Sequence, residues 1–446
     1  MTGDIFKAYD VRGKVGTELT VEVAEQIGRA FADWLPEQGS VAVGRDMRPD
    51  SEQLSSALIA GLVAQGRNVV NIGEVTSDMI YFAVGQYGHA GGVMVTASHN
   101  PGEYNGIKFC ADEAKPVGLE TGLDKVRDLA LAGSFKDAAE TGTIETADVR
   151  DAWIDHVLSF VEVENLRGSK IAIDAGNGMA GAIIPSLEKH VPWKIIPMYF
   201  ELDGTFPNHP ANPLDPANLR DLQLMVEQEE CDLGIAFDGD GDRAALIDEK
   251  GGIVSGGVMS AILAEYFLHK FPDSNIVYDV RNSKIVPETI EANGGHAVRQ
   301  KVGHSPLKAE MRRVNAPFGG EASGHFYFRD NWFADSGLIA AVIAVAIYNS
   351  GDKKLSELAD EYRKYVAIPE TNFEVEDKDA AIKRIAEAFE NGEQDWLDGL
   401  TVTYPDAWFN VRPSNTEPLL RINVEAGNSN RLNGLVTKLS ELITQS

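Results

Sequence analysis

The sequence predicts an α/β protein with three related α/β domains and a C-terminal α+β domain, built on mixed, mainly parallel sheets. The first observation is that apolar strand-like runs alternate with amphipathic helical segments, which is typical of parallel sheets. The second is that one order of elements (strand, polar loop, helix, strand) recurs along the chain. The third is length, because 446 residues correspond to about two to four domains.

The first repeat opens at residues 7–13, where we expect a short strand and then a polar turn ending in glycine. Thr20 is predicted to cap a helix that runs to residue 34, because apolar residues recur there near helical spacing. A strand, a helix and a second strand are predicted to follow at residues 40–44, 51–66 and 68–73.

The pattern recurs twice, with strands predicted at residues 170–174 and 275–279, each followed by a loop, a helix and another strand. Each repeat also contains an apolar strand that ends in a polar loop, at residues 96–101, 238–243 and 320–325. Ligands of open α/β sheets bind at the carboxyl ends of strands. These three loops could therefore face one cleft.

The last part of the chain reads differently. A strand is predicted at residues 373–376, an amphipathic helix at 377–391 and a final helix at about 430–444, with strands between the two helices. This order is typical of an α+β domain.

The charge of the chain excludes some partners. A formal net charge of −28 argues against non-specific binding to nucleic acid and against attraction to anionic membranes. Cys110 and Cys231 follow or precede apolar runs and are expected to be buried free thiols, without disulfide or zinc spacing. The N-terminus has no apolar signal core, and the longest apolar run, residues 337–348, is too short to span a bilayer. We expect a cytoplasmic protein.

The loop at residues 96–101, Thr-Ala-Ser-His-Asn-Pro, holds a hydroxyl, an imidazole and an amide at the end of a buried strand. The Ser98 hydroxyl could be a nucleophile or a phosphate carrier. The same residue types are also ordinary turn formers, and this segment alone leaves both interpretations open. A serine hydrolase is not indicated, because the G-x-S-x-G nucleophile elbow is absent.

Asp238, Asp240 and Asp242 alternate with glycines and would repel one another unless a cation joins them. Oxygen ligands on a flexible glycine-rich loop suit Mg²⁺ or Ca²⁺. An EF-hand is rejected, because Arg243 stands where that motif needs glycine and the flanks read as strands. Arg243 beside a metal could contact a phosphate. A solvated acidic turn is the remaining alternative.

Two later loops carry groups suited to a sugar phosphate. Residues 412–416, Arg-Pro-Ser-Asn-Thr, could cradle a phosphate through the guanidinium and backbone N–H groups, or could be only a decorated turn. Glu321 and Ser323, if locally extended, would point the same way and could bind sugar hydroxyls. His304 precedes them, and taken alone that imidazole would more often have a structural role than a binding role.

With these loops in view, the chain resembles the α-D-phosphohexomutase family, and within it the bacterial phosphomannomutase/phosphoglucomutase group. The four loops match the family's phosphoserine, metal, sugar and phosphate loops, in the family's order and over essentially the whole chain. The resemblance implies four domains around a central cleft. We expect the domains to comprise residues 1–148, 149–249, 250–367 and 368–446, which contain the phosphoserine, metal, sugar-recognition and phosphate-binding loops respectively.

The resemblance also implies an isomerase that interconverts hexose 1-phosphate and hexose 6-phosphate, of mannose, glucose or both. Ser98 would carry the phosphoryl group, and hexose 1,6-bisphosphate would be both intermediate and activator. Mg²⁺ would be held by Asp238, Asp240 and Asp242 together with phospho-Ser98.

The remaining residues follow from the same resemblance. Catalytic residues beside Ser98 would be Arg12, His99, Lys108, Arg243 and His325. The substrate-binding residues would be Tyr9, Arg281, His304, Glu321, Ser323, Arg412, Ser414, Asn415 and Thr416. Small-molecule hexose phosphates are the expected partners, with no nucleic acid and no membrane, and we expect a monomer or a weak dimer. Phosphoglucosamine mutase and a metal-dependent sugar phosphatase are the alternatives. A non-catalytic sugar-phosphate binding protein would not need both Ser98 and the three aspartates.

Overall fold

Strands and helices alternate in the N-terminal part as the sequence predicts. The structure is a computed structural model that describes residues 2–36, 38–414 and 419–444. The N-terminal strands are β1 (Val11–Lys14), β2 (Val41–Arg45), β3 (Val69–Glu74), β4 (Gly91–Val95), β5 (Tyr104–Ala111) and β6 (Ile144–Thr146). The helices are α1 (Val21–Trp34), α2 (Ser51–Ala64), α3 (Ser77–Tyr87) and α4 (Leu123–Ala132).

These strands form one mixed sheet in the order β1-β5-β4-β2-β3-β6. β4, β2, β3 and β6 are parallel, whereas β5 is antiparallel to both β4 and β1. Every residue of β4 is buried, as expected for a central strand covered on both faces. Thr20 caps α1 by accepting a hydrogen bond from the Val23 N–H at 3.3 Å, which confirms the predicted helix start.

The opening segment differs from the prediction. The strand does not begin the segment but comes after a turn, in which the Lys7 N–H donates to the Asp10 carbonyl at 2.8 Å. The strand itself is β1, and its pairing with β5 places Arg12 opposite Gly106. Arg12 is therefore a strand residue and not a turn residue.

The next part contains α5 (Arg150–Leu158), β7 (Lys170–Asp174), α6 (Ala180–Leu187), β8 (Lys194–Met198), α7 (Arg220–Gln228), β9 (Leu233–Phe237), β10 (Ala244–Asp248) and β11 (Ile253–Val254). The sheet order is β11-β10-β9-β7-β8. β9, β7 and β8 are parallel, and β10 returns antiparallel to β9. The acidic loop joins β9 to β10.

Residues 255–322 contain α8 (Gly256–Lys270), β12 (Asn275–Asp279), α9 (Ile285–Ala292), β13 (His296–Gln300), α10 (His304–Val314) and β14 (Phe318–Gly320). β12 lies between β13 and β14, parallel to both. Residues 323–356 then form an antiparallel pair, β15 (Phe326–Phe328) and β16 (Ala334–Asp335), and the apolar helix α11 (Gly337–Ser350).

The C-terminal part contains α12 (Leu355–Asp360), β17 (Val366–Ala367), β18 (Thr371–Glu374), α13 (Lys378–Ala388), β19 (Glu393–Asp395), β20 (Leu400–Tyr404), β21 (Ala407–Pro413), β22 (Leu419–Ala426) and α14 (Ser429–Thr444). The sheet is antiparallel, and its core packs against α13 and α14. The predicted α+β character of this part is confirmed.

The chain divides into two compact units, which we call unit 1 and unit 2. Unit 1 comprises residues 1–254 and 323–356, and unit 2 comprises residues 255–322 and 357–446. Both cysteines are buried free thiols, as predicted. Among the described residues, we find no helix with the length and apolar character that a membrane span requires.

Candidate active site

Ser98 lies just past the carboxyl end of β4, in a loop where the backbone turns sharply. Its φ of 52° is in the left-handed region, which is uncommon for a residue with a side chain and occurs often at functional sites. The Ser98 N–H donates to Thr96 Oγ1 at 2.9 Å, so the hydroxyl of the preceding threonine stabilises the bend. The Ser98 side chain is held in one place and is only 4 % exposed.

The acidic loop lies at the carboxyl end of β9, also in unit 1. Asp238, Asp240 and Asp242 are all buried, and one carboxylate oxygen of each lies within 4.8 Å of the others. The alternating glycines allow the backbone to turn between the aspartates, with Gly241 at a φ of 77°. The loop therefore gathers three carboxylates, as the sequence pattern predicts.

The serine loop and the acidic loop meet. Ser98 Oγ donates to Asp238 Oδ2 at 2.8 Å. The Arg243 guanidinium pairs with the same carboxylate at 2.9 Å and lies 3.4 Å from Ser98 Oγ. His99 Nδ1 is 3.1 Å from Ser98 Oγ and also contacts Arg243. A hydroxyl, a carboxylate, a guanidinium and an imidazole thus converge on one point.

Two further cations lie at this site. Lys108 Nζ is 2.6 Å from both Asp240 and Asp242. Arg12 pairs with Asp10 at 2.9 Å and donates to the Ala97 carbonyl at 3.3 Å. In a chain whose net charge is −28, this concentration of cations near Ser98 suits an anionic group such as a phosphate.

The local charges shift several pKa values. Burial, and then the Asp242 carboxylate, raises the pKa of Asp238 to about 7. Burial would raise the pKa of Asp242 too, but Lys108 and His325 outweigh it and hold that pKa well below the usual range. Burial, together with the charges of Arg243 and Arg12, lowers the pKa of His99 to about 2. His99 is therefore neutral at physiological pH.

The aspartates fit a metal ion. Three buried carboxylates within contact of one another repel, and Asp240 Oδ1 is buried with no hydrogen-bond partner in the described part of the chain. A cation would satisfy that oxygen, and oxygen-only donors suit Mg²⁺. A second candidate group, Asp242, His325 and Asp335, shares one carboxylate with the first. The site could therefore hold a metal ion.

Glu321, Arg281 and His304 lie in unit 2. The Arg281 guanidinium is 2.6 Å from the Asp279 carboxylate and 3.7 Å from that of Glu321. Although burial opposes it, these two charges raise the pKa of Arg281 further. Glu321 accepts from the Gly303 N–H at 2.9 Å, next to His304 at the start of α10. These three predicted residues are thus neighbours.

Residues 321–323 do not meet the condition of local extension under which Glu321 and Ser323 would point the same way. The strand β14 ends at Gly320, and a turn occupies residues 322 and 323. Ser323 belongs to unit 1, where its hydroxyl lies 3.1 Å from His325 Nδ1. His325 Nε2 in turn lies 3.5 Å from Asp242.

The structure describes part of the predicted phosphate loop. Arg412 lies at the end of β21 and pairs with Glu370 at 2.6 Å. Ser414 is buried, and its N–H donates to the Leu419 carbonyl at 2.8 Å. Asn415 and Thr416 lie outside the described residues. Tyr9 is half-buried in the turn before β1.

Sequence reasoning missed groups that support the site. Ser77, the first residue of α3, donates its hydroxyl to Asp240, and Asp10 holds Arg12. Ser77 follows Thr76 at a typical helix start, so the sequence indicates the helix. It does not indicate a contact 163 residues away.

The fold and the site define a class of enzyme. A buried serine hydroxyl beside a carboxylate triad and several cations, at the carboxyl ends of strands in α/β sheets, is an arrangement for phosphoryl transfer.

Comparison with known proteins defines the family. Models of phosphoglucomutase/phosphomannomutase α/β/α domains I, II and III match residues 3–136, 151–252 and 255–365, and that of the C-terminal domain matches residues 370–442. The chain therefore belongs to the phosphoglucomutase/phosphomannomutase family and is a hexose-phosphate mutase.

Individual relatives are similar over nearly their full length. A protein named "Phosphohexose mutases" from Xanthomonas campestris pv. campestris is 38 % identical over 99 % of this chain and 100 % of its own. A phosphomannomutase of Escherichia coli K12 is 40 % identical over 94 % of each. The solved structure of a phosphoglucomutase/phosphomannomutase family protein from Burkholderia thailandensis superposes with a TM-score of 0.91, 31 % identity, and 99 % and 97 % coverage.

Proposed function

We propose that this enzyme interconverts the 1-phosphate and 6-phosphate of mannose, glucose or both, with Ser98 as the phosphoryl carrier. The observation that carries the proposal is the contact set of the Ser98 hydroxyl, which lies 2.8 Å from Asp238 and 3.4 Å from Arg243. The named relatives, phosphomannomutases and phosphohexose mutases, support the choice of sugars.

In the proposed cycle, phospho-Ser98 transfers its phosphoryl group to the free hydroxyl of a hexose phosphate. The P–O bond to Ser98 breaks as the bond to the sugar oxygen forms, and the hydroxyl proton passes to a base, for which His325 is our candidate. The product, hexose 1,6-bisphosphate, turns around and returns its other phosphoryl group to Ser98. The isomeric monophosphate then leaves.

Asp238, Asp240 and Asp242 would hold Mg²⁺ together with an oxygen of phospho-Ser98. When bound, the ion neutralises the charge of the transferring phosphoryl group. Lys108 and Arg243 place positive charge beside the same group, because they already pair with the triad at 2.6 Å and 2.9 Å. Arg12 and neutral His99 complete the surroundings of the serine.

The remaining predicted residues are proposed to bind substrate. Glu321 and Ser323 would bind the 3- and 4-hydroxyls, and Arg281, His304 and Tyr9 would contact the sugar phosphate. The phosphate that is not reacting would be held by Arg412, Ser414, Asn415 and Thr416. A site that reads the 3- and 4-hydroxyls tolerates both glucose and mannose, which differ at C2.

The test is a coupled assay with Mg²⁺ and a trace of glucose 1,6-bisphosphate. Glucose 1-phosphate, mannose 1-phosphate and glucosamine 1-phosphate are supplied in turn, and both the 6-phosphate and free phosphate are measured. Turnover of the first two without phosphate release supports the proposal. Glucosamine 1-phosphate as the best substrate would indicate a phosphoglucosamine mutase, and free phosphate as the main product a phosphatase.

A matched pair of variants tests the carrier. We expect Ser98→Ala to lower kcat by at least about 10³-fold, since it removes the nucleophile. Ser55→Ala is the control, because Ser55 is also buried but its hydroxyl donates to the Glu52 carbonyl within α2. Near-normal turnover by Ser98→Ala would refute the phosphoserine mechanism.

A further inference from the structure

Four backbone carbonyls between Ser98 and Tyr104, the first residue of β5, accept hydrogen bonds from one buried side chain. Backbone carbonyls in an irregular loop lack the regular partners of a strand or helix, and carbonyls that are removed from water are costly unless they accept hydrogen bonds. The left-handed Ser98, with its φ of 52°, adds to the requirement, because such a conformation persists only when its surroundings hold it. The loop therefore needs a donor beneath it.

Arg48 is that donor. One of its terminal nitrogens donates to the carbonyls of Ser98 and Asn100 at 2.9 and 2.6 Å. The other donates to the carbonyls of Pro101 and Tyr104 at 2.9 and 2.8 Å. A single guanidinium thus ties together four carbonyls spread over seven residues, 98–104, from the serine loop to the first residue of β5, and only the planar fork of arginine offers donors in that geometry.

A network of buried polar side chains holds Arg48 in place. The Asp46 carboxylate lies 3.2 Å from Arg48 Nε and accepts from the Arg48 N–H at 3.0 Å. Asp46 also accepts from the Ser51 hydroxyl, to which the Asn105 amide donates at 2.9 Å. All four residues are at most 2 % exposed. The guanidinium is therefore held in one orientation by a dry polar network.

A segment after β8 covers the other side of Arg48. The Phe206 ring lies over the guanidinium, 5.1 Å from its centre. A side chain at Gly204 would lie 2.5 Å from the Arg48 Cα, and one at Gly239 would lie 2.5 Å from the Ser98 carbonyl oxygen. Glycine is thus required at both positions for the backbones to approach.

We propose that Arg48 is a positioning residue for phosphoryl transfer: through the four carbonyls it holds the serine loop in the one conformation that places the Ser98 oxygen beside Asp238 and Arg243. Arg48 does not touch the Ser98 hydroxyl or any of the three aspartates in the contacts of the described residues. Its effect on the reaction passes through the backbone. Displacement of a reacting atom by about 1 Å lowers rates by about 100-fold, so a loosened loop slows the chemistry.

The inference rests on the proposed role of Ser98, and the experiment separates the two. Wild-type enzyme is loaded with glucose 1,6-bisphosphate, and phospho-Ser98 is verified by mass spectrometry. For wild-type enzyme and for each variant, a rapid-quench measurement then follows transfer of the phosphoryl group from phospho-Ser98 to saturating glucose 1-phosphate. The rate constant reports the geometry of the loop, whereas a loss of folded protein lowers only the amplitude.

Arg48→Lys keeps the charge but cannot serve four carbonyls. We expect its transfer rate constant to fall by about 30- to 100-fold. The matched control is Arg67→Lys, because Arg67 is also a buried arginine of unit 1 that donates to backbone carbonyls, those of Ala32 and Leu35. Since the contacts that Arg67 makes with Ala32 and Leu35 lie away from the serine loop, we expect its rate constant to stay within about twofold of wild type.

A second variant decides the matter if Arg48→Lys does not fold. Phe206→Leu removes the ring over the guanidinium at a half-buried position and leaves Arg48 in place, so we expect a fall of about three- to tenfold. A wild-type rate constant in Arg48→Lys, or in Phe206→Leu where only that variant folds, would overturn the inference. An equal loss in Arg67→Lys would overturn it too. Failure of wild-type enzyme to form phospho-Ser98 would instead refute the proposed function.

Discussion

Asp78, beneath the active site in unit 1, makes the stability of the enzyme depend on pH in an unusual direction. It is completely buried and accepts from the hydroxyls of Thr76 and Ser336. Burial raises its pKa from 3.8 to about 8, because the loss of hydration outweighs the two hydroxyl donors, which lower the pKa; the charges of Asp242 and Asp335 add smaller upward contributions. In the folded enzyme Asp78 is therefore protonated at neutral pH, whereas in the unfolded chain it is ionised.

The sign follows from proton linkage. Because the pKa of Asp78 is higher in the folded state, its stabilising contribution is complete below pH 3.8 and is lost progressively as pH rises to about 8. Each pH unit in that window costs about 1.4 kcal/mol, so the free energy of unfolding attributable to this group falls by about 4 kcal/mol between pH 5 and pH 8.

The assay compares wild type with Asp78→Asn in urea unfolding at pH 5, 6.5, 8 and 9, without added metal. The amide cannot ionise, so the difference between the two free energies of unfolding isolates Asp78. We expect the variant to gain about 4 kcal/mol relative to wild type from pH 5 to pH 8 and little beyond. Asp155→Asn, at an exposed position on α5, is the control. A difference that stays within about 1 kcal/mol over the whole range would refute the reasoning.

Three other outcomes are expected from the same structure. Lys108→Met leaves two buried carboxylates without their ammonium, so the metal-free variant should lose about 3–5 kcal/mol of stability. Its melting temperature should also rise more on adding Mg²⁺ than that of wild type; equal rises would contradict the pairing. Thr20→Ala removes the cap of α1 and should lower the free energy of unfolding by about 1 kcal/mol at unchanged m-value, as urea titration would reveal. His209 lies 3.0 Å from the Asp174 carboxylate, and the hydrogen bond between them is the main cause that raises the pKa of His209. The stabilisation it provides is present below pH 6.5 and lost as pH rises through the higher folded pKa. An NMR titration in which Asp174→Asn leaves the pKa of His209 unchanged would disprove that link.

Local patterns in the sequence were sufficient for much of the fold. The cap at Thr20 depends on residues within a single helical turn, and the repeated order of elements predicts α/β sheets. The opening strand was misplaced because its position depends on pairing with β5. Arg12 becomes a strand residue only opposite Gly106, and nothing within residues 7–13 records that partner.

The site shows the same division. Three aspartates alternating with glycines predict a metal loop, since their mutual repulsion is a local property. That the loop meets Ser98 is a contact over 140 residues, which the sequence suggests only through the shared edge of strands. The four carbonyl bonds of Arg48 could not be predicted at all, because they depend on the conformation of a loop about 50 residues away.

Unit 1 is not a continuous piece of chain, and this affects how the protein can be made. Residues 323–356 return to complete it, and Ser336, which caps α11, donates to Asp78 at 2.6 Å across 258 positions. During synthesis on a ribosome, the first 254 residues cannot complete unit 1 until about a hundred more residues have emerged. Until then, the surface that packs against the apolar helix α11 stays uncovered. Domains generally fold as they are translated, but unit 1, which is translated first, can complete its fold only after most of the chain has been made. Nascent chains stalled at residue 254 should therefore bind chaperones. Chains that have emerged beyond residue 356 should have released them.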